Sequence, residues 1–534
     1  MLKRGLIFIF GIVFLLCLVG SVSAKDLYVD VDSIGGTCSD SYTYAQNDIS
    51  HPFCRIHTAT SIVNPGDVVY IRSGNYFELS STSCRGNAGT LFINRAGTPG
   101  NPITFKGYPG DVMPIIVGDS TTNAVTLLAS DIVLDSLEIT NGYINVVFCG
   151  DGIDEIVIRN SHIHHSIGQT GNNNGGGIIG MGTVSVYGNY NNILIENNEI
   201  HDNKDPTCFS GTGAGIEFYG LNNSIIRNNH IYNEWGGIWL KSTPSNVKIY
   251  NNTVHDVVEG IYHFHTPINL EIFDNVVYNS EYAGIGARQS STTYPFGQNI
   301  SYYNNIVYGS GIGHLFYEVN TDASKVYNNI FYYGRRGACA PGEEFAELTN
   351  RGQYLLTNFE ENNNFYYHPT NNQHFCWNSV SYDLNGWRSY WDGAGGNPSN
   401  GDTSISGVPL FISTNPSSPD FLKPASNSPA IDAGTIIPGY HCTQADVETF
   451  SGCRMWYGSA PDIGAFEYLD TGPTYNPDVN SDGSINVIDL AIVIFNQGHN
   501  PVTEPNYAHL DFDEDGQIDF GDVGRVMNRM GGSC

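Results

Sequence analysis

The sequence predicts an all-β protein, a right-handed parallel β-helix, followed by a small α-helical domain. Three observations predict the helix: a repeat of short apolar strands, an Asn or Asp at the corner that follows each strand, and a set of strands that open with Gly-Ile. Repeats of about 20 to 50 residues indicate coils that stack on one another.

Each repeat reads as strand, Asn-rich corner, strand. The copies are IVIRNSHIHH (156–165), ILIENNEIHD (193–202), IIRNNHIYN (225–233), VKIYNNTVHD (247–256), LEIFDNVVYN (270–279), ISYYNNIVYG (300–309) and KVYNNIFYYG (325–334). The first corner residues are Asn160, Asn197, Asn228, Asn251, Asp274, Asn304 and Asn328. Asn and Asp tolerate left-handed backbone angles, so the chain can turn at each of them. One coil cannot bury its own apolar face, and stacking with its neighbours supplies the core.

A column of aromatic side chains follows the corners at a fixed distance. Four residues after each corner lie His164, His201, Tyr232, His255, Tyr278, Tyr308 and Tyr332. We interpret this column as a stacked structural ladder rather than a catalytic histidine array. Longer steps between corners mark insertions such as 168–192, which on a solenoid commonly wall the binding face. The repeat fades over 335–426, where we expect loops or irregular coils.

The Gly-led strands predict one outward face of the helix. They are Gly215–Tyr219, Gly237–Lys241, Gly260–Phe264 and Gly284–Arg288, and Ile is second in each. Alternation sends Ile216, Ile238, Ile261, Ile285, Phe218, Leu240, His263 and Ala287 inward. The residues predicted to face outward are Glu217, Trp239, Tyr262, Tyr219, Lys241, Phe264 and Arg288. Aromatic rings, a carboxylate and two cations on one sheet predict a sugar-binding strip, with Glu217, Tyr219, Trp239, Tyr262 and Phe264 contacting the substrate.

The N-terminus and the composition indicate an extracellular protein. Two basic residues, an apolar run and Val-Ser-Ala predict a secretion signal over residues 1–24, and no second apolar stretch predicts a membrane span. The net charge of −30 argues against nucleic-acid binding. Removal of Cys17 with the signal leaves ten of the 11 cysteines, an even number that favours disulfides such as Cys442 with Cys453.

Two loops near the C-terminus carry oxygen ligands at the alternate positions of an EF-hand loop. The predicted ligands of the first are Asp478, Asn480, Asp482, Ser484, Asn486 and Asp489, and those of the second are Asp511, Asp513, Asp515, Gln517, Asp519 and Asp522. Such donors converge on one hard cation because the loop winds round it, and the Gly at position 6 permits the bend. The sequence therefore predicts two bound Ca²⁺ ions.

These loops, each running into an apolar helix, resemble a type I dockerin. The resemblance implies a cohesin-type module on a scaffold or cell-surface protein as the partner. Dockerins often carry Ser-Thr at loop positions 10 and 11, whereas this chain has Val487-Ile488 and Phe520-Gly521, which favours a more apolar or intramolecular interface. The predicted segments are a signal peptide at 1–24, a β-helix domain at 25–468, a linker at 469–477 and the dockerin-like domain at 478–534.

The flanks of the repeat resemble those of secreted parallel β-helix proteins that include polysaccharide lyases of the pectin lyase fold. The similar segments are 64–78 and 97–111 at the start and 427–434 and 460–468 at the end. Lys241-Ser242 followed by Asn246 also resembles the K-S-x-x-N motif of the alginate lyase and chondroitinase B family, with one residue inserted. That resemblance implies β-elimination on an acidic polysaccharide.

A uronate lyase neutralises the substrate carboxylate and removes the proton on the adjacent carbon. Lys241 is the candidate base, because a neighbouring cation and burial can lower the pKa of a lysine. Arg288 or His265 could bind the carboxylate or protonate the leaving oxygen. Glu234 fits one of the two acidic calcium positions of that family and Gly236 does not fit the other, so the resemblance allows one further Ca²⁺ in the β-helix.

Two other functions remain open from the sequence. A glycoside hydrolase needs two carboxylates about 5 to 9.5 Å apart. The candidates are Asp202 with Asp205, Glu217 with Glu234, and Asp151, Asp154 and Glu155. The solenoid could also be a non-catalytic glycan-binding or surface protein. The feature that separates an enzyme from a binding protein is whether Lys241 and Arg288 line an open cleft with a gap the size of a carboxylate or lie flat beneath loops.

Overall fold

The computed structural model of the chain describes residues 23–79, 84, 88–168, 175–181, 189–203, 213–288, 296–311, 313–318, 321–333, 346–350, 356–370, 372–377, 380–395, 399–442, 454–468, 479–480, 485–500, 510, 512 and 517–527. Within these residues the chain forms two compact units. The first runs to Pro409 and includes Asp432–Ile437 and Pro461–Phe466, and the second comprises Leu410–Ile431, Pro438–Ala460 and the residues from Glu467 onward. Residues 1–22 of the predicted signal lie outside the described residues.

The first unit is a parallel β-helix. Each coil adds one strand to each of three sheets, numbered 1 to 3 below. In one coil the strands are Ser245–Tyr250, Thr253–His255 and Glu259–Phe264, in sheets 1, 3 and 2 respectively. The next strand, Ile268–Phe273, pairs in parallel register with Ser245–Tyr250. Strands distant along the chain therefore become neighbours, as the repeat predicts.

The strands of the three sheets have the following bounds. Sheet 1 contains Asp26–Val29, Val68–Ile71, Ile103–Gly107, Ile132–Asp135, Asp154–Arg159, Tyr190–Glu196, Leu221–Arg227, Ser245–Tyr250, Ile268–Phe273, Gly297–Tyr303, Thr321–Asp322, Lys325–Tyr327, Leu356–Thr357 and Glu360–Asn362. Sheet 2 contains Ala88–Ile93, Thr122–Leu127, Val146–Phe148, Ile178–Gly180, Ala214–Tyr219, Gly236–Lys241, Glu259–Phe264, Ala283–Arg288, Gly313–Glu318, Ala346–Asn350, Phe375–Trp377 and Val380–Tyr382. Sheet 3 contains Asn75–Tyr76, Ile115–Val117, Glu138–Thr140, His162–His164, Glu199–His201, His230–Tyr232, Thr253–His255, Val276–Tyr278, Ile306–Tyr308, Ile330–Tyr332, Phe365–Tyr367 and Ile405–Ser406.

Helices are few among the described residues. The first unit has α1 (Ile56–Ile62), α2 (Leu384–Tyr390) and a π-helical turn at Trp391–Gly395. The second unit has α3 (Val487–Phe495), α4 (Phe520–Met527) and a two-stranded sheet of His441–Cys442 with Arg454–Met455. Across the described part of the chain, no helix is long and apolar enough to cross a membrane.

Each predicted first corner has a left-handed backbone. The φ angles of Asn160, Asn197, Asn228, Asn251, Asp274, Asn304 and Asn328 lie between 49° and 57°. Short polar side chains tolerate this region better than other non-glycine residues do. The predicted corner positions are thus confirmed.

From Asn197 to Asn328 the residue after each corner is an asparagine, and these asparagines, with Asn364, form a continuous ladder of buried amides. Its members are Asn198, Asn229, Asn252, Asn275, Asn305, Asn329 and Asn364. Along the ladder each side-chain NH₂ donates to the carboxamide oxygen of the next coil at 2.9 to 3.0 Å. The backbone N–H of Asn252, for example, also donates to Asn275 Oδ1 at 3.0 Å. A buried amide is costly unless it is paired, so this ladder satisfies the corners as the coils stack.

The aromatic column on the outer face of sheet 3 is a stacked ladder. His201 lies parallel to Tyr232 with ring centroids 4.6 Å apart, Tyr232 to His255 at 5.1 Å and His255 to Tyr278 at 4.5 Å. These spacings match the separation of adjacent parallel strands. The interpretation of the column as structural agrees with this geometry.

The C-terminal part of the β-helix is more regular than expected. Within 335–426, where loops or irregular coils were expected, parallel strands continue as far as Ile405–Ser406.

The closing segments contact the last coils of the helix, as their resemblance implies. Asn304 Nδ2 donates to the carbonyl of Asp462, and Thr435 N donates to Asn328 Oδ1. At the start, disulfides join Cys38 to Cys54 and Cys84 to Cys149.

Further cysteines are also paired. Cys376 belongs to a disulfide, and so does Cys442. Cys453 lies outside the described residues, so its predicted pairing with Cys442 stays a prediction.

The core of the β-helix is lined by the predicted inward residues. Ile216, Ile238, Ile261 and Ile285 are each at most 1% exposed. One member of the core is polar: His263 is fully buried, and its Nε2 lies 2.6 Å from the hydroxyl of Tyr302. Burial lowers the pKa of His263 to about 3, because an imidazolium is poorly solvated in an apolar core.

We expect the protein to lose stability as the pH falls from about 6.5 towards 3, and the His263→Leu variant to lose less. The unfolded chain takes up a proton at His263 below pH about 6.5, which the folded chain does not accept until about 3. Stability from this group is therefore fully present above pH about 6.5 and declines by about 1.4 kcal/mol per pH unit below it. Thermal unfolding of both proteins at about pH 7.5 and about pH 4.5 measures the difference.

At the higher pH the variant should be the less stable protein, because Tyr302 loses a buried hydrogen bond worth about 1 kcal/mol. His57→Leu is the matched control, since His57 is exposed on α1. Equal losses of stability on acidification in the wild type and His263→Leu would contradict this account.

Candidate active site and calcium loops

The residues predicted to contact substrate are neighbours on the outer face of sheet 2. In parallel register, Glu217 pairs with Trp239, Trp239 with Tyr262, Tyr219 with Lys241, and Phe264 with Arg288. Both predicted outward columns are present, which confirms the register deduced from the Gly-led strands.

Lys241 lies flat over the aromatic side chains around it. Its Nζ donates to Glu217 Oε1 at 2.7 Å and lies 4.5 Å from the ring centroid of Trp239. The rings of Tyr219 and Phe264 are at 5.2 and 5.5 Å. The ammonium group is thus held by one carboxylate and by the negative faces of three rings.

Arg288 folds back along the preceding strand. Its Nη1 donates to Glu259 Oε1 at 2.8 Å, although Glu259 begins the strand whose far end, Phe264, is the register partner of Arg288. The Cζ atom of its guanidinium lies 5.8 Å from the ring centroid of Tyr262 and 5.2 Å from that of Tyr282. Glu259 was not predicted as a site residue, because the strand pattern gives no sign of so long a reach.

Three of the predicted substrate contacts do not reach solvent. Glu217 is 6% exposed, Trp239 is 3% exposed and Tyr262 is fully buried. Trp239 and Tyr262 form an apolar cluster with Ala214 and Ala283. Alternation points these side chains away from the core, but it does not show whether neighbouring side chains cover them. Tyr219, Lys241, Phe264 and Arg288 keep partial exposure.

The pKa of Lys241 changes in the direction opposite to the one expected. Burial by itself would lower this pKa, but the Glu217 carboxylate and the Tyr219 hydroxyl outweigh burial and raise it. The expectation failed because it considered a neighbouring cation and not the carboxylate on the adjacent rung. Lys241 is therefore a stable cation rather than the neutral amine that a general base requires.

His265 lies beside Lys241 and Arg288. Its backbone is left-handed, with φ of 65°, and its N–H donates to the carbonyl of Arg288 at 2.9 Å. Burial, and then the positive charge of Lys241, lower the pKa of His265. Lys241, His265 and Arg288, separated along the chain, are thus brought to one edge of sheet 2.

The other acidic candidates have structural partners. Glu234 is fully buried and accepts hydrogen bonds from the backbone N–H and the amide of Asn203. Asp202 accepts from His201 at 2.7 Å, and Glu155 accepts from Asn192. Among the described residues no cluster supports the further calcium site considered at Glu234. Asp205 lies outside the described residues.

The calcium loops are described in part. The predicted ligands Asn480, Asn486, Asp489, Gln517, Asp519 and Asp522 lie within the described residues, and Asp478, Asp482, Ser484, Asp511, Asp513 and Asp515 lie outside them. A small apolar core that includes Ile485, Val493, Phe512 and Val526 holds the two helices together.

The carboxylates at position 12 of the two loops have equivalent contacts. Asp489 Oδ2 accepts from the backbone N–H of Asn486, and Asp522 Oδ2 accepts from that of Asp519. Each aspartate is fully buried, and its second oxygen accepts from a backbone N–H near the start of its own loop. Buried carboxylates of this kind suit a hard cation that prefers oxygen ligands, so the described donors fit Ca²⁺.

Backbone donors keep Asp489 ionised. Burial alone would raise the pKa of Asp489, but the N–H groups of Asn486 and Asn480 outweigh it and lower the pKa. Asn486 also caps α3, because its side chain accepts from the backbone N–H of Ile488 at 2.8 Å. The carboxylate at position 12 of the first loop is therefore held in its charged form by the protein itself.

Family comparisons agree with both units. The model of the Pel9A-like right-handed beta helix region matches residues 38–223, and that of the dockerin type I domain matches residues 476–531. The model of NosD, a periplasmic copper-binding protein, matches residues 132–371. None of the curated protein sequences matches the chain.

Solved structures are similar to the chain at low sequence identity. The crystal structure of pectate lyase Pel9A is 15% identical with a TM-score of 0.53, over 84% of this chain and 98% of that one. The GH136 lacto-N-biosidase from Eubacterium ramulus is 15% identical with a TM-score of 0.46, over 65% of this chain and 64% of that one.

The chain is therefore a right-handed parallel β-helix protein. It carries a type I dockerin domain at its C-terminus, and its helix is similar to that of pectate lyase Pel9A. Type I dockerin domains bind calcium, and the presence of one implies a cohesin module as partner.

Proposed function

We propose that this protein is an extracellular enzyme that cleaves an acidic, uronate-containing polysaccharide by β-elimination. The observation that supports the proposal is the group of Lys241, Arg288 and His265 at one edge of sheet 2, beside half-exposed aromatic rings. Lys241 and Arg288, each paired with one carboxylate of the protein, offer further N–H donors to the carboxylates of a polyuronate. Rings such as Tyr219 and Phe264 offer faces on which sugars pack.

The side chains divide the chemistry in a way that differs from the sequence-based mechanism. Lys241, a cation with a raised pKa, neutralises the substrate carboxylate and the negative charge that develops as the adjacent carbon loses its proton. His265, whose pKa is lowered, is the neutral imidazole that accepts this proton. The electron pair of the broken C–H bond forms the double bond, and the glycosidic C–O bond breaks. The electron pair of that bond leaves with the oxygen, which takes a proton from water.

Arg288 has a separate role in the proposal. Its guanidinium is paired with Glu259 and is 32% exposed, so a second uronate carboxylate can approach it. It thereby fixes the position of the chain of sugars relative to Lys241. Substrate binding to flat side chains suits a long polymer, which lies along the sheet, better than a small molecule.

The proposed role of the dockerin domain is to attach the enzyme to a partner protein. We propose that it binds a cohesin module on a scaffold or cell-surface protein, with one Ca²⁺ in each of its two loops. Val487 and Ile488, at positions 10 and 11 of the first loop, are 64% and 54% exposed, so the contact they offer is apolar. This placement holds the enzyme outside the cell, close to insoluble polysaccharide.

Incubation of the full-length protein with a panel of polyuronates tests the proposal. We expect ultraviolet absorbance from unsaturated uronate to grow with polygalacturonate, alginate or another acidic polymer, and no absorbance with a neutral glucan or xylan. Release of reducing ends without that absorbance would instead identify a glycoside hydrolase. Binding without any release would identify a non-catalytic glycan-binding protein.

A further inference from the structure

The outer face of sheet 3 carries a cluster of histidines that the proposed chemistry does not use. It comprises His162, His164, His165, His201, His230 and His255, with the acidic residues Glu138, Glu199, Asp202 and Asp256 among them. The aromatic column accounts for three of these histidines, because they stack on tyrosine rings or on each other. It does not account for His162 or His230, which begin their strands.

Two adjacent coils bring His162 and His201 into direct contact. Their Nε2 atoms are 2.7 Å apart, and the strands that carry them pair in register. A carboxylate oxygen of Glu199, the residue opposite His162, lies within 4.8 Å of one ring nitrogen of each histidine. Three donor atoms from two coils thus converge on the outer face of sheet 3, between the exposed Glu199 and the buried His201.

The position of the proton on His201 is set by its neighbour. Nδ1 of His201 lies 2.7 Å from Asp202 Oδ2, so this nitrogen carries the proton of a neutral ring and donates it to the carboxylate. The Nε2 atom of His201, which faces His162, then carries a lone pair. Histidine ligands of metal ions are commonly oriented in this manner by a carboxylate on the other nitrogen.

We propose that His162, Glu199 and His201 bind one divalent transition-metal ion of the Zn²⁺ type, with Asp202 as the residue that orients His201. Two imidazoles and a carboxylate form a common ligand set for zinc. Two nitrogens on one tetrahedral Zn²⁺ are about 3.4 Å apart, given bonds of about 2.0 to 2.1 Å. Small rotations of the rings at this surface would open the present 2.7 Å contact to that spacing.

The ion would have a structural role. His162 and His201 are 39 residues apart along the chain, and the loop between them contains the longest step between predicted corners. A bond through the metal would join the two coils across this insertion. Binding of an ion by the folded state alone raises its stability in proportion to the logarithm of the ion concentration.

Calorimetric titration of tag-free, full-length protein with Zn²⁺, in saturating Ca²⁺, tests the proposal. We expect one equivalent to bind in the wild type, and that equivalent to be lost in His162→Gln and in His201→Gln. Asp202→Asn should weaken its binding by about 10-fold to 100-fold. His230→Gln is the matched control, because His230 contacts His255 in the same way, at 2.8 Å, without belonging to the proposed ligand set.

A second readout separates binding at this site from adventitious binding. Co²⁺ in place of Zn²⁺ should give the intense visible absorption of tetrahedral coordination in the wild type and His230→Gln, and not in His162→Gln. Thermal unfolding without added metal should show that each variant is folded. An unchanged Zn²⁺ equivalent in His162→Gln, or no binding by the wild type at about 100 μM Zn²⁺, would overturn the proposal.

Discussion

Removal of calcium is expected to abolish the binding of this protein to a cohesin while the proposed polysaccharide cleavage continues. The position-12 carboxylates Asp489 and Asp522 are fully buried, each among backbone N–H donors of its own loop. Without the ion, the remaining loop carboxylates repel one another, and the small apolar core between α3 and α4 cannot offset that repulsion. Chelation should therefore unfold the dockerin domain.

Single substitutions should reproduce this result. Asp489→Ala and Asp522→Ala each remove a ligand and leave backbone donors unpaired, so we expect the Kd for a cohesin to rise about 1,000-fold. Asp420→Ala is the matched control, since Asp420 forms an exposed ion pair with Lys423. Surface-immobilised cohesin measures binding, and the lyase assay measures cleavage. Retention of cohesin affinity in excess chelator would contradict the assignment.

The second large effect is expected at the candidate active site, where His265→Asn should lower kcat by about 10² to 10⁴-fold and change KM little. The proposed role of His265 is proton abstraction, which affects the transition state and not substrate binding. Asn is a suitable replacement because it tolerates the left-handed backbone at this position, where φ is 65°. Kinetics on the best polyuronate of the panel measure both constants.

Lys241 requires a paired substitution. Lys241→Ala alone leaves the buried Glu217 carboxylate without its cation, which costs about 3 to 5 kcal/mol and confuses loss of activity with loss of fold. Lys241→Met combined with Glu217→Gln avoids this, and we expect it to lower kcat/KM by about as much as His265→Asn while also raising KM. Lys248→Met with Glu271→Gln, a more exposed ion pair on sheet 1, is the control. Wild-type kinetics in the first double variant would exclude a role for Lys241.

The fold was predictable because its signals are periodic. Corner residues such as Asn251 and inward residues such as Ile261 were placed correctly from the sequence, since a left-handed turn and a two-residue alternation each leave a local pattern. The strands within 335–426 were missed because their coils lack the Gly-Ile opening and vary in length. Pairing between strands can persist where the sequence no longer repeats.

The candidate site was predictable only in part. Register brought Lys241 and Arg288 to one face, but the direction in which a long side chain lies depends on partners that the pattern does not reveal. Arg288 reaches back to Glu259, and Lys241 turns towards Glu217. The Glu217 carboxylate, together with Tyr219, raises the pKa of Lys241, and the two cations lie over the rings of Trp239 and Tyr262. Electrostatics of this kind depends on distances, which no alternation supplies.

The amide ladder keeps the spacing between adjacent coils constant, whatever the number of residues in each coil. Consecutive ladder residues are separated by 23, 24, 30, 31 or 35 residues, and the hydrogen bond between them is always 2.9 to 3.0 Å. Evolution can therefore lengthen or shorten the segments between corners without disturbing the frame that carries them. Substrate preference in such a protein can diversify through these segments while the position of Lys241 relative to Arg288 stays fixed.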